Sequence, residues 1–115
     1  MKFNSIFTNA FDKDLKAISK KHPKDVKTIL ESIDTILLND PFSADTKQLE
    51  CFKYYRYRIG KYRIVFDLRE TNTIVFLAID HRGSIYEKLR KRFVTIQPNC
   101  FNDAKNNILW LHSMC

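Results

Sequence analysis

The feature that most constrains this chain is a change of apolar period near residue 52. Upstream, Val26, Ile29, Leu30, Ile33, Ile36 and Leu37 recur at spacings of three and four, which marks one face of a helix. Downstream, Tyr55, Tyr57, Tyr62, Ile64, Phe66 and Leu68 alternate with polar neighbours, as in strands buried on one side. A sequence of one period does not settle into the other structure, so the chain must combine helices with a sheet.

Caps and turns divide the two regions into elements. Lys2 to Phe7 reads as a first strand. Thr8 caps a helix to about Lys21, with Phe11, Leu15 and Ile18 on one face and Phe7 four residues ahead of Phe11. Pro23 suits the first turn of a second helix, and Asn39-Asp40-Pro41 stops it. A polar loop runs from Pro41 to about Lys47. Strands are expected at 53–59, 61–69 and 73–80, with turns at Ile59-Gly60 and Glu70-Thr71-Asn72. The fold class is α+β: an N-terminal strand and two antiparallel helices packed on a small twisted antiparallel sheet. Lys88 to Arg92 extends that sheet or forms a short helix, and Asn102-Asp103 caps a last helix through Leu111.

A chain of 115 residues is one domain in size, expected here as a domain over 1–92 and a short C-terminal extension over 93–115. Cys51, Cys100 and Cys115 are odd in number and lie far apart, with no zinc-ligand spacing, so neither a disulfide framework nor a metal is expected. No cofactor motif is present, and the two glycines build no phosphate loop. The first residues lack the apolar run of a signal peptide, and no stretch has the length of a membrane span. A cytoplasmic protein without a membrane partner is expected.

The net charge of +7 is not spread evenly. Residues 1–50 carry eight lysines against eight carboxylates, whereas residues 51–92 carry eleven basic side chains against four carboxylates. All seven arginines, Arg56, Arg58, Arg63, Arg69, Arg82, Arg90 and Arg92, lie in that second span. Arginine presents a planar fork of donors that matches phosphate, so this span reads as an anion site on a neutral scaffold.

Hairpin geometry concentrates the charge further. With Ile59-Gly60 as the turn, Arg58 faces Lys61, Tyr57 faces Tyr62 and Arg56 faces Arg63. A four-residue loop from Arg58 to Lys61 keeps that register and spares Ile59 a positive φ. The tyrosines then take the core face, and Arg56, Arg58, Lys61 and Arg63 share the other. Like charges directly opposite each other destabilise a sheet by some tenths of a kcal/mol per pair. A bound polyanion would offset that repulsion.

The run Tyr55-Arg56-Tyr57-Arg58-Ile59-Gly60-Lys61-Tyr62-Arg63-Ile64-Val65-Phe66, followed by Asp80-His81-Arg82-Gly83-Ser84-Ile85-Tyr86, resembles the RelE branch of the RelE/ParE toxins over about residues 3–89. The resemblance implies a RelE-like fold and the toxin of a type II toxin–antitoxin pair. It implies an endoribonuclease that cuts mRNA in the ribosomal A site without metal. It further implies a cognate antitoxin, whose extended, partly helical segment wraps the toxin in a hetero-oligomer. By the same resemblance, Arg63 and Arg82 hold the scissile phosphate and Tyr86 stacks on or orients a base. Arg56 and Arg58 stand where several bacterial members carry lysines, one of them a proposed general base.

In such a reaction the RNA supplies its own nucleophile, the 2′-OH beside the phosphate. The protein must align that hydroxyl, neutralise charge on the phosphorane and assist the proton transfers. Arg56, Arg58, Arg63 and Arg82 suit the second task. Arg58 or Lys61 is expected to support the hydroxyl, with His81 or Tyr86 helping the leaving group. In a continuing strand, however, His81 points opposite to Arg82. Lys88 and Arg90 belong to a general RNA-facing run that adds salt-dependent attraction. Two other readings compete: a ParE-like inhibitor that binds DNA gyrase, and an RNA-binding module without catalysis.

Overall fold

Thr8 joins the first strand to the first helix. Its hydroxyl accepts from the Phe11 N–H at 3.2 Å and donates to the Phe76 carbonyl at 2.8 Å. Strand β1 (Asn4–Phe7) thereby passes into helix α1 (Asn9–Lys21) against the strand that carries Phe76. The Phe7 ring stacks on Phe11 at 5.4 Å, and both meet Phe76. The computed structural model describes residues 2–43, 45–49 and 53–93.

Helix α2 (Pro23–Ser32) begins at its proline and continues into a wider π-helical winding, Ile33–Leu37. The Leu38 N–H closes that winding on the Ile33 carbonyl at 2.9 Å. The extra residue in the turn shifts the phase of the apolar stripe. Ile33 and Leu37 stay buried, but Leu30 and Ile36 are 41% and 44% exposed, so the stripe is narrower than the spacing implied.

The described residues form one five-stranded sheet in the order β1-β5-β4-β3-β2, from β2 (Thr46–Gln48), β3 (Tyr55–Ile59), β4 (Tyr62–Arg69) and β5 (Thr73–His81) beside β1. The class is α+β, as expected, with two refinements. The N-terminal strand joins at the edge parallel to β5, so the sheet is mixed. The segment expected as a loop to Lys47 contributes β2, paired antiparallel to β3. The basic segment forms helix α3 (Ile85–Arg92) and does not extend the sheet.

Each face of the sheet has its own core. Helices α1 and α2 cover Tyr57, Tyr62, Ile64, Phe66, Ile74, Phe76 and Ile79. On the opposite face, Val65 and Ala78 pack with Ile85, Tyr86 and Leu89 of α3. A bulge between β4 and β5 pairs Val65 with Ala78 but Phe66 with Phe76, and Leu77, the extra residue, packs against the α3 cluster.

Beyond Phe76 the sheet edge is closed by side chains. β1 accompanies β5 only as far as the Phe7–Phe76 pair. Asp14 of α1 then accepts from the Ile79 N–H at 3.1 Å. From α3, Arg92 donates to the Leu77 carbonyl at 3.1 Å and Lys88 to the Ile79 carbonyl at 3.3 Å. Both cations also bind Asp14, which is only 6% exposed. Burial alone would raise the Asp14 carboxyl. Hydrogen bonds from Arg92, Ile79 and Lys88, with the Lys88 charge, outweigh it and hold the group below its ordinary value.

The cysteines and the expected last helix lie outside the described residues. Of the expected extension, only Phe93 is described, its ring 5.3 Å from that of Tyr54.

Candidate nucleic-acid interface

The hairpin that carries the arginines turns one residue later than its spacing suggested. Ile59 pairs with Tyr62, so Gly60 and Lys61 form the two-residue turn. Gly60 has a φ of 56°, the conformation that a primed hairpin turn with glycine first requires. The partners therefore change: Arg58 faces Arg63, Tyr57 faces Ile64 and Arg56 faces Val65. The faces do not change, because the register moves by two positions.

Directly opposite residues share a face, so the register defines two rows across the α3 side of the sheet. One row holds Lys47, Arg56, Val65 and Ala78. Lys47 escaped the sequence reading because a three-residue edge strand carries too little pattern to show its period. The other row holds Arg58, Arg63 and Asp80, with Asp45 beside Arg58. The Asp45 carboxylate takes the Arg58 guanidinium at 2.9 Å. The protein itself thus offsets part of the expected repulsion, at Arg58; the Asp80 carboxylate is taken by Lys88 at 2.9 Å.

The arginines differ in access. Arg58 is exposed, but Arg56 is 2% and Arg63 6% exposed, although all three share one face of the hairpin. Arg56 reaches the Asp45 carbonyl at 3.4 Å. Arg63 folds back on its own turn, where Nη1 donates to the carbonyls of Gly60 at 3.0 Å and Tyr62 at 2.9 Å. Its Nε is buried without an acceptor among the described residues. Arg82 follows β5 in an exposed turn, and its backbone N–H donates to the Lys61 carbonyl at 2.7 Å. The hairpin tip is therefore the shared support of Arg63 and Arg82.

Three expected site residues lie elsewhere. Lys61 leaves the arginine face, because its place in the turn carries its ammonium to 3.6 Å from Asp25 of α2. His81 pairs with Tyr62 and meets its ring edge-on at 6.2 Å, on the helix side and away from Arg63. Tyr86 is 5% exposed within the α3 cluster, so its ring packs the core and offers no open stacking surface. The Tyr62 hydroxyl donates to Asp25 at 2.6 Å. Burial and that hydrogen bond push the Tyr62 phenol up to about 12, so it stays protonated. The Tyr62 hydrogen bond, set against partial burial, leads in lowering the Asp25 carboxyl, with the Lys61 charge adding to it.

The basic run of α3 is divided. Lys88 is committed to Asp14 at 3.1 Å and Asp80 at 2.9 Å, and Arg92 to Asp14, so both are structural. Arg90 is exposed and makes no ion pair with the described residues. A cleft of about 420 Å³ beside α3 is lined by Asp80, Ser84, Glu87, Lys88, Lys91 and Arg92, whose charges largely compensate one another. No group of acidic, histidine or cysteine side chains among the described residues is placed to hold a metal. No described helix is long and apolar enough to cross a membrane.

Comparison with known proteins bears on the family and the fold. Residues 6–86 match the family described as ParE toxin of the type II toxin–antitoxin system. Toxin RelE3 of Methanocaldococcus jannaschii is 34% identical over 83 residues, covering 71% of this chain and 93% of the relative. The RelB–RelE antitoxin–toxin complex from Methanococcus jannaschii matches with a TM-score of 0.52 at 32% identity, over 72% of this chain and 96% of that one. The RelBE2 toxin–antitoxin complex from Mycobacterium tuberculosis shares the fold with a TM-score of 0.62 at 24% identity, over 70% of this chain and 99% of that one.

Proposed function

Because this chain belongs to the RelE/ParE family of type II toxins, we propose that it is an endoribonuclease that cleaves mRNA on the ribosome. The observation that carries the reading is the support of Arg63 and Arg82 by successive carbonyls of one hairpin tip, with Arg58 directly opposite Arg63. Those guanidiniums suit a phosphate whose charge grows in the transition state. The 2′-oxygen attacks phosphorus as its proton leaves, the bond to the 5′-oxygen breaks, and that oxygen takes up a proton. The products are a 2′,3′-cyclic phosphate and a 5′-hydroxyl.

The fold limits who can move those protons. Lys61 is neutralised by Asp25 and lies off the arginine face, so it is a poor candidate to receive one. Arginine does not give up its proton at ordinary pH. His81 is exposed at the end of β5, one residue before Arg82, but it packs against Tyr62 on the helix side, away from Arg63. Tyr86, its ring buried with the α3 cluster, would act through its hydroxyl edge.

A cognate antitoxin is the second part of the proposal. It is supported by the RelB–RelE complex in which the 32% identical relative was solved. The 34% identical relative named as a RelE toxin favours RNA cleavage over gyrase binding. The test is to add the protein to a translating extract and map message ends. A-site breaks with cyclic phosphate ends in wild type, falling at least 100-fold in Arg63→Ala and Arg82→Ala, are expected. Intact message alongside inhibited supercoiling would favour the ParE-type activity. Salt-sensitive binding that leaves the RNA whole would favour a module without catalysis.

A further inference from the structure

We propose that Asp25, at the start of α2, is a positioning residue that sets the place of both phosphate-binding arginines. Three successive residues of the hairpin tip hold those arginines by their backbone carbonyls. Gly60 and Tyr62 receive the Arg63 guanidinium, and Lys61 receives the Arg82 N–H. The tip is therefore a frame, and a shift of it moves both arginines together.

Asp25 ties that frame to the helical layer. It lies in the first turn of α2, which Pro23 opens. One of its oxygens, Oδ2, receives the Tyr62 hydroxyl at 2.6 Å and stands 3.6 Å from the Lys61 ammonium. Lys61 also lies over the Tyr62 ring at 5.6 Å, and that ring meets His81. One carboxylate thus engages both flanks of the Lys61 carbonyl that holds Arg82. A two-residue turn has few other restraints, and a misplacement of about 1 Å in such a site can cost roughly 100-fold in rate.

The functional part of this inference rests on the nuclease reading, but its structural part does not. The experiment compares wild type with Asp25→Ala, Asp25→Asn and Tyr62→Phe, following backbone amide exchange and message cleavage together. Asp25→Ala and Tyr62→Phe should speed exchange of the Arg82 amide at least tenfold, with amides in the middle of β4 and β5 unchanged. The same two variants should lower kcat about tenfold with KM nearly constant. Asp25→Asn still accepts the phenol hydrogen bond and should restore most of the protection and rate. An Arg82 amide that exchanges at the wild-type rate in both variants overturns the proposal. So does a uniform rise across the sheet, which would mean lost packing. If wild type cuts no message while Arg82 alone loses protection, the anchor stands and the nuclease reading falls.

Discussion

Arg58 and Arg63 stand directly opposite each other on β3 and β4, with the Asp45 carboxylate on Arg58 at 2.9 Å and Asp80 paired in register with Arg63. The row is acid, arginine, arginine, acid. Its repulsion, some tenths of a kcal/mol for the central pair, is eased by the Asp45 carboxylate on Arg58, whereas the Asp80 carboxylate is engaged by Lys88 at 2.9 Å. The cluster is therefore compatible with folding alone, and its function rests on where the guanidiniums are held.

Asp45→Asn should free Arg58 for phosphate. The ion pair is half-exposed on both sides, so its loss should cost no more than about 0.5 kcal/mol in stability. Affinity for a short RNA at low salt should rise about two- to fivefold, read by filter binding. Unchanged affinity would mean that Arg58 does not meet the backbone.

Asp14 predicts an acid limb of stability. Its carboxyl is held below the ordinary value in the fold, so the unfolded chain binds that proton more readily. The contribution is complete above the unfolded value of about 4 and is lost as pH falls through the folded one. Urea midpoints between about pH 6 and pH 2.5 should fall less steeply in Asp14→Asn. Arg92→Ala, which strips the buried carboxylate of its bidentate partner, should cost about 3 kcal/mol at neutral pH.

Gly60→Ala should lower stability by about 1 kcal/mol, because the residue sits at a φ of 56° where a Cβ is strained. A Cβ there would meet no atom within 4 Å, so the cost is one of backbone conformation alone. Gly60→Asn should cost less, since asparagine tolerates that region. Thermal melting of the three proteins decides the point.

Lys88 and Arg90 should separate cleanly. Lys88→Ala should destabilise the fold, because Lys88 neutralises Asp14 and Asp80. Arg90→Ala should leave the melting temperature in place and reduce the salt slope of RNA binding by about 1, as expected for one lost phosphate contact.

Tyr86→Ala should cost about 3–5 kcal/mol, since the ring is buried with Ile85, Leu89, Val65 and Ala78. Tyr86→Phe keeps the ring and should fold. Only the phenylalanine variant therefore reports on a chemical role for the hydroxyl, through its rate of message cleavage.

Much of the fold was legible because local rules acted alone. The Thr8 cap, the Pro23 start, the two sheet faces and the three long strands all follow from side-chain period and backbone restriction. The exceptions have specific causes. Ile36 lies exposed within a π-helical winding, and Leu30 ahead of it is exposed too, which no apolar count reveals. Strand β2 is only three residues long and exists by pairing with β3. Moving the turn to Gly60 and Lys61 gave the positive φ to glycine and changed every cross-strand partner in the hairpin.

Sequence alone determined the class of the fold, the family and the segment to which the excess positive charge is confined. These follow from period, motif and the confinement of all seven arginines to one span. Only the tertiary structure decided how those charges are spent. Lys88 and Arg92 close a sheet edge over Asp14, Lys61 turns to Asp25, and Arg63 folds onto the carbonyls of its own turn. The reason is physical: a cation's role depends on the nearest acceptor, and those acceptors lie on other elements that only folding brings within reach.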